Sequence, residues 1–287
     1  MTPLFLQILR AIQQLGANAG RIGLVSPRLV AAEIYQHLRE QLPRVEFVDA
    51  EPMMLEMRAL KSEEEILFLR RSGYIADKGI EAMIDSAHIG ANDLDIVYAI
   101  DLACAKAGAP PGGFRIYRSG PWGELGPNVW SDSRSARSLQ SGDLLIPEVG
   151  SNYKGYFTQL TVPVAMGDPG PDFRAALNMN RAINREILSR FRPGITVREL
   201  DNFSAEYCQD FSDGEFTTLF AVQCGEHERA FVHDDYTLAS GMLGYIQPYF
   251  IRADGEGGPF HVLGNAVVCT EGEPLHLHQS ELDLVIV

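Results

Sequence analysis

The sequence predicts an α+β fold in which two similar halves each combine helices with antiparallel strands. Three observations support this prediction. Capping boxes open helices at Ser62–Glu65 and at Thr196–Glu199, strands follow each helical region, and residues 144–164 form a β-hairpin pattern. We therefore expect the helices to cover one curved antiparallel sheet, with a ligand bound on its open face between the halves.

Residues 1–58 are predicted to form a small α/β segment ahead of these halves. A helix to about Gly16 precedes the strand RIGLVS, which is followed by the helix RLVAAEIYQHLREQL and the strand RVEFVDA. One strand–helix–strand unit provides a small core. We expect this segment either to pack on the rest of the chain or to be the remnant of a larger domain.

The main domain, residues 59–287, repeats one order of elements. Its first helix starts at the Ser62 capping box and ends at Gly90, and the helix NDLDIVYAIDLACAKAG ends at Gly108. Loops and strands lead from there to the hairpin. The helix DFRAALNMNRAINREILSRF then ends before Pro193, the helix VRELDNFSAEYCQDF follows, and strands continue to the C-terminus.

The composition is that of a soluble globular protein, with 46% hydrophobic and 22% charged residues. A formal net charge of −14 argues against a nucleic-acid partner, because neutralising phosphates requires clustered Lys and Arg. No apolar run approaches the roughly 20 residues that span a bilayer, and the N-terminus lacks signal-peptide features. Widely spaced cysteines predict reduced thiols in a cytoplasmic protein; these are Cys104, Cys208, Cys224 and Cys269.

The hairpin LLIPEVGSNYKGYFTQLTVPV places polar side chains together on the predicted sheet. The stretch from Asn152 to Gly155 fits a type I turn with glycine at its fourth position. This register puts Glu148 directly opposite Gln159, on the same face. Two acids at such a place would suggest a divalent metal site, whereas one acid and one amide do not.

Four segments, in order and with sensible spacing, resemble the creatinase/aminopeptidase P superfamily, which has the pita-bread fold. They are EPMMLEMRALKSEEEILFLRRSGYIADKGI, SGDLLIPEVGSNYKGYFTQLTVPVAMGDP, LASGMLGYIQPYFI and NAVVCTEGEPLHL. The resemblance covers about residues 50–287. It implies a pita-bread domain over residues 59–287, a truncated creatinase-type N-terminal segment over residues 1–58, and a homodimer.

The resemblance also implies where metal ligands would lie. In the metal-dependent members of the family, two Asp, one His and two Glu hold two divalent ions that generate a hydroxide nucleophile. The family's histidine position falls at Glu226 or, with a one-residue shift, at His227. Gln and Gly cannot replace carboxylate charge, so we expect no metal and no other cofactor. The four carboxylate positions correspond to Glu148, Gln159, Gln247 and Gly264.

Creatinase itself has this fold without metals and hydrolyses a C–N bond with a histidine. That histidine lies before the hairpin, where this sequence has Trp130 and Ser131. Glu148 is the predicted acid or base, tuned by burial. His233, in FVHDD, resembles a pocket histidine of the family. We therefore expect Glu148 and His233 to be the catalytic residues.

Other polar residues are candidates for binding a small polar substrate. Gln159 and Gln247 offer amide hydrogen bonds, although two core amides that satisfy one another are an equal alternative. Arg115 or Arg118 can clamp a carboxylate from a segment rich in Gly, Arg and aromatic residues. The candidates for substrate binding are Gln159, Gln247, His227, His261, Arg115, Arg118 and Tyr156.

The function predicted from these residues is a metal-independent enzyme acting on a small amino-acid-like or guanidino-type molecule. The reaction we expect first is hydrolysis of a C–N bond, and lyase or cyclase chemistry is the alternative. One alternative is a divergent metal-dependent Xaa-Pro aminopeptidase-like hydrolase with ligands among Glu148, His227, Glu228 and Asp234. The other is a non-catalytic protein that binds a small molecule or peptide. The predicted partners are a small-molecule substrate and a second copy of the chain, with no nucleic acid and no membrane.

Overall fold

A computed structural model of the protein describes residues 3–110, 115–125, 136–224, 236–254 and 260–287. The chain divides into two compact units, Met1–Arg58 and Ala59–Val287. Within the described ranges, no helix combines the length and the apolar character that a membrane span requires.

The N-terminal unit contains the predicted strand–helix–strand arrangement. Strands β1 and β2 pair in parallel, with Gly20 opposite Val45, and a helix connects them, as a parallel crossover requires. A small cluster of apolar residues, including Phe5 and Leu38, forms its core. Its elements are α1 (Pro3–Gln14), β1 (Gly20–Leu24), α2 (Ala32–Gln41), β2 (Val45–Asp49) and α3 (Glu51–Ala59).

The second unit repeats two helices followed by strands, which confirms the predicted α+β class. The helices are α4 (Glu63–Ser86), α5 (Asp93–Ala107), α6 (Pro171–Arg190) and α7 (Val197–Phe211). The strands are β3 (Arg115–Gly120), β4 (Leu144–Tyr153), β5 (Tyr156–Leu160), β6 (Val164–Ala165), β7 (Phe216–Cys224), β8 (Leu243–Arg252), β9 (Asn265–Val268), β10 (Leu275–His276) and β11 (Val285–Ile286).

Both predicted capping boxes are present. At the start of α4, the Ser62 hydroxyl accepts a hydrogen bond from the Glu65 backbone at 3.2 Å, and the Glu65 carboxylate accepts one from the Ser62 backbone at 2.7 Å. Thr196 and Glu199 make the same exchange at the start of α7, at 3.1 and 2.8 Å. These reciprocal bonds satisfy backbone N–H groups that a helix start leaves unpaired.

The strands form two sheets rather than one continuous ladder. One has the order β11-β6-β4-β3 with β5 paired to β4, and the other has the order β10-β9-β8-β7. A single antiparallel bridge between Thr161 and Gly264 joins them. The Thr161 backbone N–H donates to the Gly264 carbonyl at 2.8 Å, and the Gly264 N–H donates to the Thr161 carbonyl at 3.3 Å. This bridge brings the two halves of the unit together.

The hairpin turn lies one residue further along the chain than the sequence predicted. Tyr153 lies opposite Tyr156, so only Lys154 and Gly155 form the turn. Their φ angles are 51° and 95°, which are the left-handed values of a two-residue type I′ turn. The predicted type I turn, with glycine at its fourth position, is therefore wrong, although the left-handed glycine was expected.

This displacement of the turn by one residue shifts the strand register by two residues. Gln159 lies opposite Gly150, and not opposite Glu148 as predicted. Since side chains alternate with a period of two, a shift of two residues keeps Glu148 and Gln159 on one face as diagonal neighbours. Val149 is on the other face, where it packs in a core cluster with residues of α4 and α5. The polar side chains therefore point away from these helices.

Candidate active site at the junction of the two sheets

Glu148 is the centre of a buried polar cluster. Only 1% of its surface is exposed. Its Oε2 accepts a hydrogen bond from Nε2 of Gln159 at 3.0 Å, and its Oε1 accepts one from the Tyr249 hydroxyl at 3.0 Å. Nε2 of His261 lies 2.8 Å from the same Oε1. A carboxylate with three polar neighbours can be buried because these neighbours replace its hydration.

Gln159 and Gln247 form the link between the two sheets at this cluster. Nε2 of Gln159, on β5, lies 2.5 Å from Oε1 of Gln247, on β8. Gln159 therefore directs one N–H at Glu148 and the other at Gln247. Because this arrangement uses both hydrogens, it fixes which end of each amide faces its neighbour.

His261 is fully buried beside the carboxylate. Burial lowers the pKa of His261 below its ordinary value of 6.5, and the nearby Glu148 carboxylate opposes this shift. The imidazole is therefore mainly neutral at pH 7. Its ring lies against Tyr249, with centroids 4.6 Å apart. The contact with Glu148 has the distance of an ion pair, but the ring N–H is not aligned as a hydrogen bond.

Arg118 is the cation of this cluster. Its side chain, on β3, is 2% exposed, and one Nη2 lies 3.5 Å from the backbone carbonyl of His261. Burial lowers the pKa of the Arg118 guanidinium, and the negative charge of Glu148 opposes this effect. The guanidinium and the Glu148 carboxylate therefore compensate one another inside the protein.

Gly264 allows the Gln247 side chain to pack directly against the backbone at position 264. A Cβ at this position would lie 2.6 Å from Cγ and 2.9 Å from Cβ of Gln247. Gln247 therefore occupies the space that a side chain at position 264 would need. The glycine and the amide are a matched pair across neighbouring strands.

Several buried polar atoms of this cluster have no hydrogen-bond partner among the residues that the structure describes. Buried polar groups are normally paired, so each exception calls for an explanation such as a ligand or a bound water. The unpaired atoms are Oε1 of Gln159, Nε2 of Gln247, Oγ1 of Thr161, Nε of Arg118 and Nδ1 of His261.

The structure brings together four of the residues that the sequence singled out: Glu148, Gln159, Gln247 and His261. Arg118 also lies in this cluster, but on strand β3 rather than in a lid, and its predicted binding of a substrate carboxylate stays a prediction. The side chain of Arg115 is outside the described part. Tyr156 does not join them, since it lies an odd number of residues from Gln159 and so on the opposite face. There its hydroxyl donates to Glu65 at 3.0 Å.

The remaining candidates lie outside the described residues: Trp130, Ser131, Glu226, His227, Glu228, His233 and Asp234. The sequence analysis missed Tyr249, which donates to Glu148. A signal was available, because Tyr249 follows Gln247 by two residues on a strand and therefore points to the same face.

The four cysteines are buried thiols, and no disulfide joins any of the described residues. Burial raises the pKa of the Cys208 thiol to about 12 and that of Cys269 to about 11. Such thiols are weak nucleophiles near neutral pH. Within the cluster around Glu148, the Glu148 carboxylate and the His261 imidazole are the groups that can accept and return a proton.

The chain is similar in sequence to proteins named Xaa-Pro dipeptidase. The chain is 25% identical over 219 residues to an Xaa-Pro dipeptidase from Pyrococcus horikoshii, covering 74% of this chain and 61% of that protein. It is 23% identical over 258 residues to an Xaa-Pro dipeptidase from Pyrococcus furiosus, covering 87% of this chain and 72% of that protein. The chain thus spans about 60–70% of the length of these relatives.

Solved structures share the fold. An X-Pro aminopeptidase from Thermotoga maritima superposes with a TM-score of 0.83 at 18% identity, covering 100% of this chain and 79% of that one. A prolidase from Pyrococcus furiosus superposes with a TM-score of 0.78 at 20% identity, covering 94% and 79%. Both likenesses confirm the pita-bread α+β fold. The model of metallopeptidase family M24 matches residues 68–271, and the chain belongs to this family.

Proposed function

We propose that this chain is a peptidase-like hydrolase that cleaves the C–N bond of short peptides of the Xaa-Pro class. One observation carries the proposal: a buried Glu148 carboxylate lies 2.8 Å from a buried His261 imidazole. A carboxylate beside a neutral imidazole is a general acid–base pair. The names of the relatives supply the substrate class. They favour peptides, as in the Xaa-Pro alternative, over a guanidino-type molecule.

The residues present assign a role to each group in this reaction. Nδ1 of His261 is unpartnered and takes a proton from the attacking water, while Glu148 stabilises the imidazolium that forms. The water oxygen bonds to the carbonyl carbon, the C–N bond breaks, and the imidazolium returns the proton to the leaving nitrogen. Nε of Arg118, a donor without a hydrogen-bond partner among the described residues, would stabilise charge on the carbonyl oxygen in this proposal.

The M24 family implies a pair of divalent ions, and the described residues do not fit such a pair. Two divalent cations need several carboxylates to balance their charge. The described cluster offers one carboxylate and one imidazole, and the amide nitrogen of Gln159 faces the place where a cation would meet Glu148. Among described residues, no three His, Cys, Asp or Glu converge as metal ligands. We therefore propose hydrolysis that does not depend on a metal pair.

Peptide hydrolysis by the purified protein tests this function. The substrates are Ala-Pro, Met-Pro and Ala-Pro-Ala, with creatine as the guanidino comparison and release of the N-terminal residue as the readout. Each assay is run after EDTA treatment and after reloading with Mn²⁺, Co²⁺ or Zn²⁺. We expect release from the peptides that survives EDTA and disappears in Glu148→Gln.

Two results would contradict the proposal. Release that requires added metal would support the metal-dependent alternative, whose candidate ligands His227, Glu228 and Asp234 lie outside the described residues. Absence of release from any peptide in any metal state would favour the non-catalytic binding alternative.

His233→Ala belongs in the same series, because a catalytic His233 remains a prediction. A homodimer and a cytoplasmic location likewise remain proposals, and sedimentation of the purified protein measures the former.

A further inference from the structure

A cavity of about 410 Å³ lies between helix α6 and residues 282–283 of the second unit. Its volume falls within the range of roughly 300–1,000 Å³ that is typical of small-molecule sites. Its lining combines two arginines, one amide and one carboxylate with three leucines, and it includes none of the residues of the polar cluster around Glu148. The cavity is therefore a second place at which this chain can bind a small molecule.

Helix α6 supplies the cationic side of this cavity. Its lining residues follow the spacing i, i+3, i+4 and i+7, so they share one face of the helix. They are Arg181, Asn184, Arg185 and Leu188. The buried Asn184 amide donates to the Ile246 carbonyl at 3.3 Å, which holds this face against strand β8. Since like charges four residues apart destabilise a helix, Arg181 and Arg185 together favour an anion beside them.

The protein neutralises only one of these two charges. Arg181 pairs with Asp283, whose carboxylate also lines the cavity. Arg185 is exposed and has no ion-pair partner among the described residues, because the adjacent acid, Glu186, pairs with Arg190 at 2.6 Å. The lining thus carries one net positive charge, in a chain whose formal net charge is −14. A positive site of this kind attracts an anionic ligand.

The three leucines limit which anion fits. Leu263 is 1% exposed, and Leu188 and Leu282 are half-buried, so together they form an apolar wall. A phosphate dianion would lose hydration against this wall, and a single unpaired guanidinium compensates only one of its charges. A carboxylate needs only one arginine, which it binds through two hydrogen bonds. An aliphatic group attached to that carboxylate would cover the leucines and remove apolar surface from water.

We infer that this cavity binds a small monocarboxylate with an aliphatic body. The Arg185 guanidinium pairs with the carboxylate, and Asp283 keeps the neighbouring Arg181 neutralised. The aliphatic body packs against the leucine wall. This site is separate from the proposed hydrolysis, and neither proposal depends on the other.

Four probes separate the charge of the ligand from its apolar part. Isocaproate has both, isocaproamide has nearly the same shape without the charge, acetate has the charge without the aliphatic body, and inorganic phosphate has a denser charge and no apolar part. Binding of the three organic probes is measured at neutral pH by ligand-observed NMR titration, and phosphate is tested as a competitor. We expect isocaproate to bind about 10-fold or more tightly than isocaproamide or acetate. Phosphate at equal concentration should not displace it.

Matched variants locate the binding. Arg185→Gln removes the unpaired guanidinium, so the preference for the acid over the amide should disappear, whereas Arg185→Lys keeps the charge and should retain part of it. Arg174→Gln makes the same change elsewhere on α6, outside the cavity, and should keep the whole preference. Leu282→Ala shortens the apolar wall and should weaken binding of isocaproate but not of acetate. Circular dichroism and melting temperature establish that each variant is folded, and Leu188→Ala replaces Leu282→Ala if the latter is not.

Three results would overturn the inference. Isocaproate and isocaproamide could bind equally, or no probe could bind at about 10 mM. Arg185→Gln could keep the full preference, which would mean that the carboxylate binds elsewhere, such as beside Arg118. Displacement of isocaproate by phosphate at equal concentration would indicate a general anion site and refute the assigned aliphatic body. All of these measurements read binding alone, so their outcome is independent of whether the protein hydrolyses peptides.

Discussion

Gln247 packs directly over the backbone of Gly264. A Cβ at position 264 would lie 2.6 Å from Cγ of Gln247, a separation that real Cβ atoms do not show. The resemblance places both positions at carboxylate ligands of the metal-dependent family members. In this chain the glycine leaves the space that the Gln247 side chain fills. We therefore expect the residues at these two positions to depend on one another through packing.

Gly264→Ala should displace Gln247 and weaken its contact with Gln159. The added methyl group cannot fit beside Gln247, so we expect a loss of about 1–3 kcal/mol in the free energy of unfolding, measured by urea denaturation. Gly123→Ala is the control, because nothing lies within 4 Å of a Cβ there. In the Gly264→Ala/Gln247→Ala double variant the steric part of the loss should be relieved. A full loss that persists in the double variant would contradict the packing explanation.

Removing either member of the acid–base pair should suppress turnover. Glu148→Gln keeps the shape of the side chain but removes its charge, and His261→Asn removes the imidazole that accepts the proton. We expect kcat to fall by about 100-fold or more in each. Combining the two changes should cost little more than either alone, since both groups act on one proton. Full activity in His261→Asn would shift the assignment to His233.

The buried imidazole should make the protein less stable in acid. The folded pKa of His261 lies below 6.5, so between these values the unfolded chain binds a proton that the folded chain does not. The free energy of unfolding should therefore be highest above about pH 6.5 and decrease as the pH falls. Thermal melts at a series of pH values between 7.5 and 5 measure this slope. His261→Asn should reduce it.

A second buried imidazole, that of His278, should also contribute to the dependence of stability on pH. Burial also lowers the pKa of His278, with Asp77 opposing the shift. The acid slope should therefore become shallower in His261→Asn without disappearing, and become shallower again when His278→Asn is added. Glu148, Arg118 and Tyr249 face His261, and an unchanged slope in His261→Asn would mean that they compensate for its loss.

Metal content gives a test that does not depend on activity. With Gln159 and Gln247 in place of acids, we expect no tightly bound pair of Mn²⁺, Co²⁺ or Zn²⁺ after dialysis, as measured by elemental analysis. Gln159→Asp/Gln247→Glu should still fail to bind a pair, because Gly264 supplies no ligand. Stoichiometric binding of a metal pair by the wild-type protein would refute this prediction and revive the metal-dependent alternative.

Local patterns in the sequence determined much of the fold. The capping boxes at Ser62 and Thr196 are short-range signals, since the bonds they make join residues three positions apart. The period of two along the strands placed Glu148 and Gln159 on one face whichever turn formed. The sequence also established the family resemblance, because this depends on the identity and order of residues. The replacement of metal-ligand acids by amides stays a prediction that follows from the resemblance.

Tertiary structure decided the register and the partners. The turn formed at Lys154–Gly155, where both residues adopt left-handed backbone angles, a choice that the type I signal did not predict. The Thr161–Gly264 bridge then joined strands from the two halves and brought His261 against Glu148, over 100 residues away in the chain. No periodicity spans such a separation. The sequence therefore supplied the reactive groups, and packing across the bridge determined which of them meet.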